Sequence, residues 1–139
     1  MTHPGWPEIP TIDVHAAAAA VDAAAGVGAT DGGGARDTGR PGTPLLVDVR
    51  ERHEFVAIRA PGAVLYPTSS FLLRFEELPR DRPLHVICNS GSRSASVTAW
   101  LLRNGWSDVH NVGGGMVAWL RAGLDVRRGP LAPGEGDPA

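Results

Sequence analysis

The sequence predicts an α/β domain: a parallel sheet of five strands with helices on both faces. Two observations carry this. Short apolar runs alternate along the chain with segments of helical spacing, the pattern of right-handed βαβ units. The clearest run, residues 45–49, is almost continuously apolar, as in a strand covered on both faces. With 139 residues the chain suits one domain with a core of ordinary size.

Each element has a local reason. Residues 9–12 lie among prolines and read as a brief edge strand, where proline is tolerated. Asp13 can cap a helix running through the alanines at 16–20 to about Ala25. Alanine is the best helix former, and the run implies nothing more. Residues 26–43 are rich in Gly and nearly free of large apolar side chains, so they are expected to form a flexible loop. Loop closure cost grows slowly with length, so one domain can absorb it. The glycines at 32–34 are no phosphate cradle, since no strand leads in and no helix leaves. Residues 45–49 read as a strand, 51–57 as a short helix, Pro61-Gly62 as a turn and 63–66 as a strand. Phe71, Leu72, Phe75 and Leu78 fall at helical spacing. Residues 84–88 form the next strand. Residues 92–103 form a helix with Ala95, Ala99 and Leu102 on one face, closed by Asn104-Gly105. Residues 109–112 are the last strand, and 116–122 the last helix, ended by Gly123. The domain is expected to occupy residues 1–128, with the Pro/Gly-rich 129–139 as a disordered tail.

Composition narrows the function classes. The net charge is −2, from 13 basic and 15 acidic side chains, which leaves no basic footprint for nucleic acid. Arg121, Arg127 and Arg128 are read as solvated surface. No apolar run approaches the roughly 20 residues that span a bilayer. The N-terminus lacks a basic segment, and Asp22 interrupts the alanines, so no secretory signal is expected. The single cysteine allows no internal disulfide and suits a reducing compartment, so a cytoplasmic location is expected. The five histidines show no ligand spacing, and no metal or cofactor is expected.

The chemistry points to Cys88. It ends an apolar strand just before a helix, at the carboxyl end of the sheet where α/β proteins bind ligands. The connecting residues are Asn89, Ser90, Gly91, Ser92, Arg93 and Ser94. Gly91 permits a sharp turn. Successive N–H groups can then converge into an anion-binding nest, and the helix start adds unpaired N–H groups. Arg93 adds positive charge. Such a loop would hold a thiolate, the nucleophilic form, where a free cysteine with a pKa of about 8.5 is mostly protonated. A lone cysteine ending a core strand can also be a small buried hydrophobe. On composition and placement alone the two readings stand about even.

Three motifs break the tie. They are Cys-x-x-Gly-x-Arg-Ser at 88–94; Asp48-Val49-Arg50-Glu51-x-x-Glu54-Phe55 followed by Pro61-Gly62-Ala63; and Asn111-Val112-x-Gly114-Gly115-Met116-x-Ala118-Trp119 with Ala122-Gly123-Leu124. In this order the sequence resembles the rhodanese-like domains from about Ile9 to Val126. The resemblance implies a three-layer α/β/α sandwich around a five-stranded parallel sheet. It also implies a sulfurtransferase, in which Cys88 takes sulfur from thiosulfate or a similar donor and passes it from a persulfide to cyanide or a thiol. The amides of residues 89–94 would stabilise the charge. The alternative is a relay module that docks to a protein donor or acceptor. A non-catalytic interaction domain is disfavoured by the presence of Cys88. Related cell-cycle phosphatases carry Cys-x5-Arg, one residue longer than the spacing from Cys88 to Arg93, and the smaller nest suits one sulfur better than a phosphate.

Other residues are read more modestly. Asp48 is expected to orient Arg93, to bond the loop backbone, or to form an ion pair with no part in catalysis. Arg50 and Glu54, at i and i+4, are expected to pair on a helix face. Trp100 and Trp119 read as core, Trp106 as a cap on that core after a turn, and His85 as structural. The glycines at 113–115 are expected to let backbone approach the loop. The sequence departs from the family at Ile58-Arg59-Ala60, where Gly-His-Ile often precedes Pro-Gly-Ala, and in the glycine-rich insertion at 26–43.

Overall fold

The structure, a computed structural model, describes residues 8–29 and 42–137, with backbone alone for residues 24–29. Five parallel strands lie in the order β1-β5-β4-β2-β3. They are β1 (Thr11–Ile12), β2 (Leu45–Asp48), β3 (Val64–Leu65), β4 (Leu84–Ile87) and β5 (Val109–Val112). The helices are α1 (Val14–Ala29), α2 (Arg52–Ala57), α3 (Phe71–Arg74), α4 (Ser92–Arg103) and α5 (Gly115–Arg121). The sheet is therefore the predicted one, with helices on both faces.

Side chains alternate across it, as strand geometry requires. Leu45, Val47, Val64, Leu84, Val86 and Val109 build one core with Phe71 of α3 and Val97 and Leu101 of α4. Leu46, Leu65, Ile87 and Val112 build the other, with Ala17 of α1, Phe55 of α2 and Met116 and Trp119 of α5. Trp106 is buried in the first core, and its indole N–H donates to the Pro79 carbonyl at 3.1 Å.

The topology places a crevice. The connection from β2 leads outward to β3, while that from β4 leads the opposite way to β5. Neighbouring strands whose connections diverge leave a gap at their carboxyl ends, where α/β proteins bind ligands. The register puts Asp48 opposite Ile87, so the two strands end level and their following residues share one rim.

Three expectations need correction. Helix α1 continues past Ala25 to Ala29, because Gly26 and Gly28 each cost a helix only about 1 kcal/mol. Of the expected loop at 26–43, residues 30–41 lie outside the described residues. The helical spacing from Phe71 to Leu78 is met by a one-turn helix between two 3₁₀ turns, Thr68–Ser70 and Phe75–Glu77. Phe71 stacks on Phe75, which meets Trp100 edge-on, so aromatic packing substitutes for a longer helix.

The third correction concerns the tail. Residues 129–137 are not disordered but fold back on the domain. Leu65 N–H donates to the Gly136 carbonyl at 2.7 Å, and Arg59 Nε and Nη2 donate to the Glu135 carboxylate at 2.6 and 2.9 Å. Arg59 is only 2% exposed, and a buried guanidinium requires a counter-charge. Arg59, at the centre of the Ile58-Arg59-Ala60 departure from the family pattern, is thus what anchors the tail. Glu135→Gln is expected to lower stability by about 2 kcal/mol, the worth of hydrogen bonds to a charged group. A denaturant midpoint indistinguishable from wild type would show the clasp to be idle.

Candidate active site

Cys88 follows β4 directly, and α4 begins at Ser92, so three residues make the entire turn. Gly91 takes φ +103°, in the left-handed region that favours glycine. The reversal turns donors inward. Cys88 Sγ accepts from Gly91 N–H at 3.1 Å, from Ser94 N–H at 3.3 Å and from the Ser94 hydroxyl at 3.2 Å. Cys88 is fully buried. Burial pushes its thiol up, but the hydroxyl and amide of Ser94 and the amides of Gly91 and Ser90 outweigh it. The thiol is held below its ordinary value.

The far side of the loop is held by α5. Met116 N–H donates to the Cys88 carbonyl at 2.8 Å, and Val117 N–H to the Asn89 carbonyl at 3.0 Å. This needs Gly115, at φ +56°, because a β-carbon there would stand 2.6 Å from the Asn89 carbonyl oxygen. The glycine run at 113–115 therefore allows the close backbone approach read from sequence.

Of the predicted residues, Cys88, Gly91 and Ser94 meet directly. Asn89, Ser90 and Ser92 are exposed on the rim. Arg93 turns across the crevice to Glu54 of α2, with Nη1–Oε1 at 2.8 Å and Nη2–Oε2 at 3.0 Å. Hydrogen bonds from Arg93 hold the Glu54 carboxyl at about 2. The expected partnership of Asp48 with Arg93 does not form. Asp48 instead takes Arg50, through Nε to both carboxylate oxygens at 3.1 Å and Nη2 at 2.9 Å. Both side chains are buried, and Arg50, two residues away, supplies a fork that matches the carboxylate. The expected side-chain pair of Arg50 with Glu54 is likewise absent. Arg50 donates instead to the backbone carbonyls of Glu54 at 3.3 Å and Ile58 at 2.6 Å. Asp48 and Arg50 thus brace α2, which presents Glu54 to Arg93.

Sequence reading did not single out Asn111 as a site residue. This buried side chain accepts from the Ser94 hydroxyl through Oδ1 at 2.5 Å. The only signal was a polar residue at a core-facing position of an apolar strand. Beside the loop lies a cleft of about 470 Å³, bordered by His15, Ser90, Gly114, Val117 and Arg121. Among the described residues no cluster of His, Cys, Asp and Glu could hold a metal, and no helix is long and apolar enough to cross a membrane.

The Glu54 pair predicts an acid dependence. A carboxyl whose folded pKa lies below its unfolded value adds stability that is present above about 4.5 and lost as pH falls toward about 2. Glu54→Gln is therefore expected to flatten the fall in stability over that interval, measured by denaturation at a series of pH values. Parallel curves for variant and wild type would count against it.

Comparison with known proteins agrees with this geometry. The profile of the Rhodanese-like domain matches residues 35–122. A sulfurtransferase of Allochromatium vinosum is 38% identical over 82 residues, spanning 59% of this chain and 77% of that protein. The thiosulfate sulfurtransferase GlpE of Pseudomonas syringae is 37% identical over 75 residues, spanning 54% and 71%. In fold, a rhodanese-related protein of Thermoplasma volcanium aligns with a TM-score of 0.63 at 24% identity, over 85% of this chain and 97% of that one. With its five-stranded parallel sheet and its cysteine loop between β4 and α4, the chain belongs to the rhodanese-like domain family, among relatives that are sulfurtransferases.

Proposed function

We propose that this protein transfers sulfane sulfur through a persulfide on Cys88. The observation that carries the reading is the convergence of two amides and one hydroxyl on Cys88 Sγ, a nest suited to an anionic sulfur. The Cys88 thiolate attacks the outer sulfur of thiosulfate. A new S–S bond forms, the donor S–S bond breaks, and sulfite leaves with the bonding pair. The terminal sulfur of Cys88 then carries the charge, about 2 Å beyond Sγ. A thiol or cyanide removes it and returns the thiolate. Asn89 to Ser94 form the binding loop, and the charge of Arg93 within it is met by Glu54. Asp48 and Arg50 act at one remove, by bracing α2.

A second reading concerns the partner. Asn89 and Ser90 are neutral and Arg93 is paired with Glu54, which leaves a dianionic donor little positive charge to meet. The cleft bordering Ser90 has room for a larger group than thiosulfate. A relay between a low-molecular or protein persulfide and an acceptor thiol fits these two features. The lone cysteine suits a reducing compartment, so we place the protein in the cytoplasm. It acts there as one domain that residues 129–137 complete.

The test is mass spectrometry of the protein after incubation with thiosulfate, mercaptopyruvate or a persulfide donor. One added sulfur on Cys88, lost on adding cyanide, is the expected result. Failure of all three donors to add sulfur would sink the proposal. Loading that is fast only from a protein donor would select the relay.

A further inference from the structure

The Ser94 hydroxyl has one proton and two acceptors. Its oxygen lies 2.5 Å from Asn111 Oδ1 and 3.2 Å from Cys88 Sγ. A single hydroxyl proton makes one full hydrogen bond. The other end of the Asn111 amide sets its orientation: Nδ2 donates to the Gly91 carbonyl at 3.4 Å. A flipped amide would place two acceptor oxygens against each other there. Cys88, Ser94 and Asn111 are all buried, so an acceptor left without a donor is costly.

We propose that Asn111 is a positioning residue, which competes with Cys88 for the Ser94 proton and thereby favours the sulfur-loaded cysteine over the bare thiolate. This rests on the sulfur-carrying role of Cys88 proposed above. As a thiol, Cys88 can donate to Ser94 Oγ while Ser94 donates to Asn111, and every group is satisfied. As a thiolate, Cys88 draws the Ser94 proton, and Asn111 Oδ1 is left unmet. Attack on the donor moves the negative charge to the terminal sulfur, as the donor S–S bond breaks and its leaving group takes the pair. Sγ is then neutral and a weak acceptor. Ser94 returns its proton to Asn111. The bare thiolate is the one state in which this chain of three groups lacks a proton, and sulfur loading relieves it.

The charged or titratable groups around the loop are Arg93 of α4, with Glu54, Asp48 and Arg50 on the β2 side, and His15 and Arg121 on the cleft that borders Ser90. His110 alternates with Asn111 along β5 and projects from the other face of the sheet. All of these are common to the proteins compared below.

The experiment is a cycle of wild type, Asn111→Leu, Ser94→Ala and the double variant. Leucine approximates the shape of asparagine and accepts nothing. Two quantities are read: the pH midpoint of Cys88 alkylation by iodoacetamide, and the sulfur-loaded fraction at a fixed ratio of thiosulfate to sulfite. Asn111→Leu is expected to lower the midpoint by about half a pH unit, roughly threefold in ionisation, and to lower the loaded fraction. In the Ser94→Ala background it should move neither. A midpoint unchanged or raised by Asn111→Leu would overturn the competition. So would the same shift with and without Ser94. Asn111→Val, which suits a strand, supplies the same comparison if the leucine variant does not fold. If wild type loads no sulfur from any donor, the sulfur-transfer reading fails, while the alkylation cycle still tests the competition. If wild type loads and the cycle shows no coupling, the competition alone fails.

Discussion

Replacing Cys88 with serine is expected to abolish sulfur transfer, lowering kcat/KM by at least about 10³-fold, with the fold retained. Cys88 is the only cysteine in the chain, so no neighbouring thiol can substitute. The nest around it suits an anion, and a serine hydroxyl does not ionise at neutral pH. The serine side chain is smaller but still finds the amides of Gly91 and Ser94, so the loop should survive. The checks are turnover with thiosulfate and cyanide, and a thermal unfolding curve on the same preparation. Transfer at an appreciable fraction of the wild-type rate would show that sulfur passes through another group. Loss of both fold and activity would instead make Cys88 a packing residue of the first core, where its side chain also lies.

Gly115→Val is expected to destabilise the protein by about 4 kcal/mol, combining left-handed backbone strain with overpacking. Its β-carbon would enter the space of the Asn89 carbonyl, and the Cys88 carbonyl lies beside it. Those two carbonyls are the ones that α5 binds, so the loop must shift to make room. Whatever fraction folds should transfer sulfur poorly, because the amides of Gly91 and Ser94 would no longer be aimed at sulfur. Gly123→Val is the control. That glycine also has positive φ, at +72°, but nothing lies within 4 Å of a β-carbon there. Its cost should be the strain alone, about 1–2 kcal/mol. Equal denaturant midpoints for the two variants would show that close approach to the loop is not what Gly115 provides.

The cysteine loop was legible in the sequence because its parts act locally. A strand end, a glycine able to take positive φ and a helix start all lie within seven residues, and together they direct amides at Sγ. The glycine run at 113–115 was legible because residues without side chains mark a close backbone approach, although the loop it approaches lies far along the chain. The tail was misread because composition measures how much apolar surface a segment can bury. It does not register that one glutamate can meet a buried charge elsewhere. Asn111 was passed over because an asparagine in a strand has many uses, and only its distance to Ser94 selects one.

The sequence by itself determined the parallel sheet, the strand and helix positions to within a few residues, the cysteine loop and the family. These follow from side-chain periodicity, turn chemistry and short motifs, which are properties of neighbours along the chain. Only the tertiary structure decided who pairs with whom. Arg93 takes Glu54 across 39 residues, Ser94 takes Asn111 across 17, and Arg59 takes Glu135 across 76. A charged or hydrogen-bonding side chain is indifferent to sequence separation. It binds the partner that burial and geometry bring within about 3 Å, and several candidates of the right sign were present each time. Asp48 had two arginines within reach of argument, and the fold brought it Arg50.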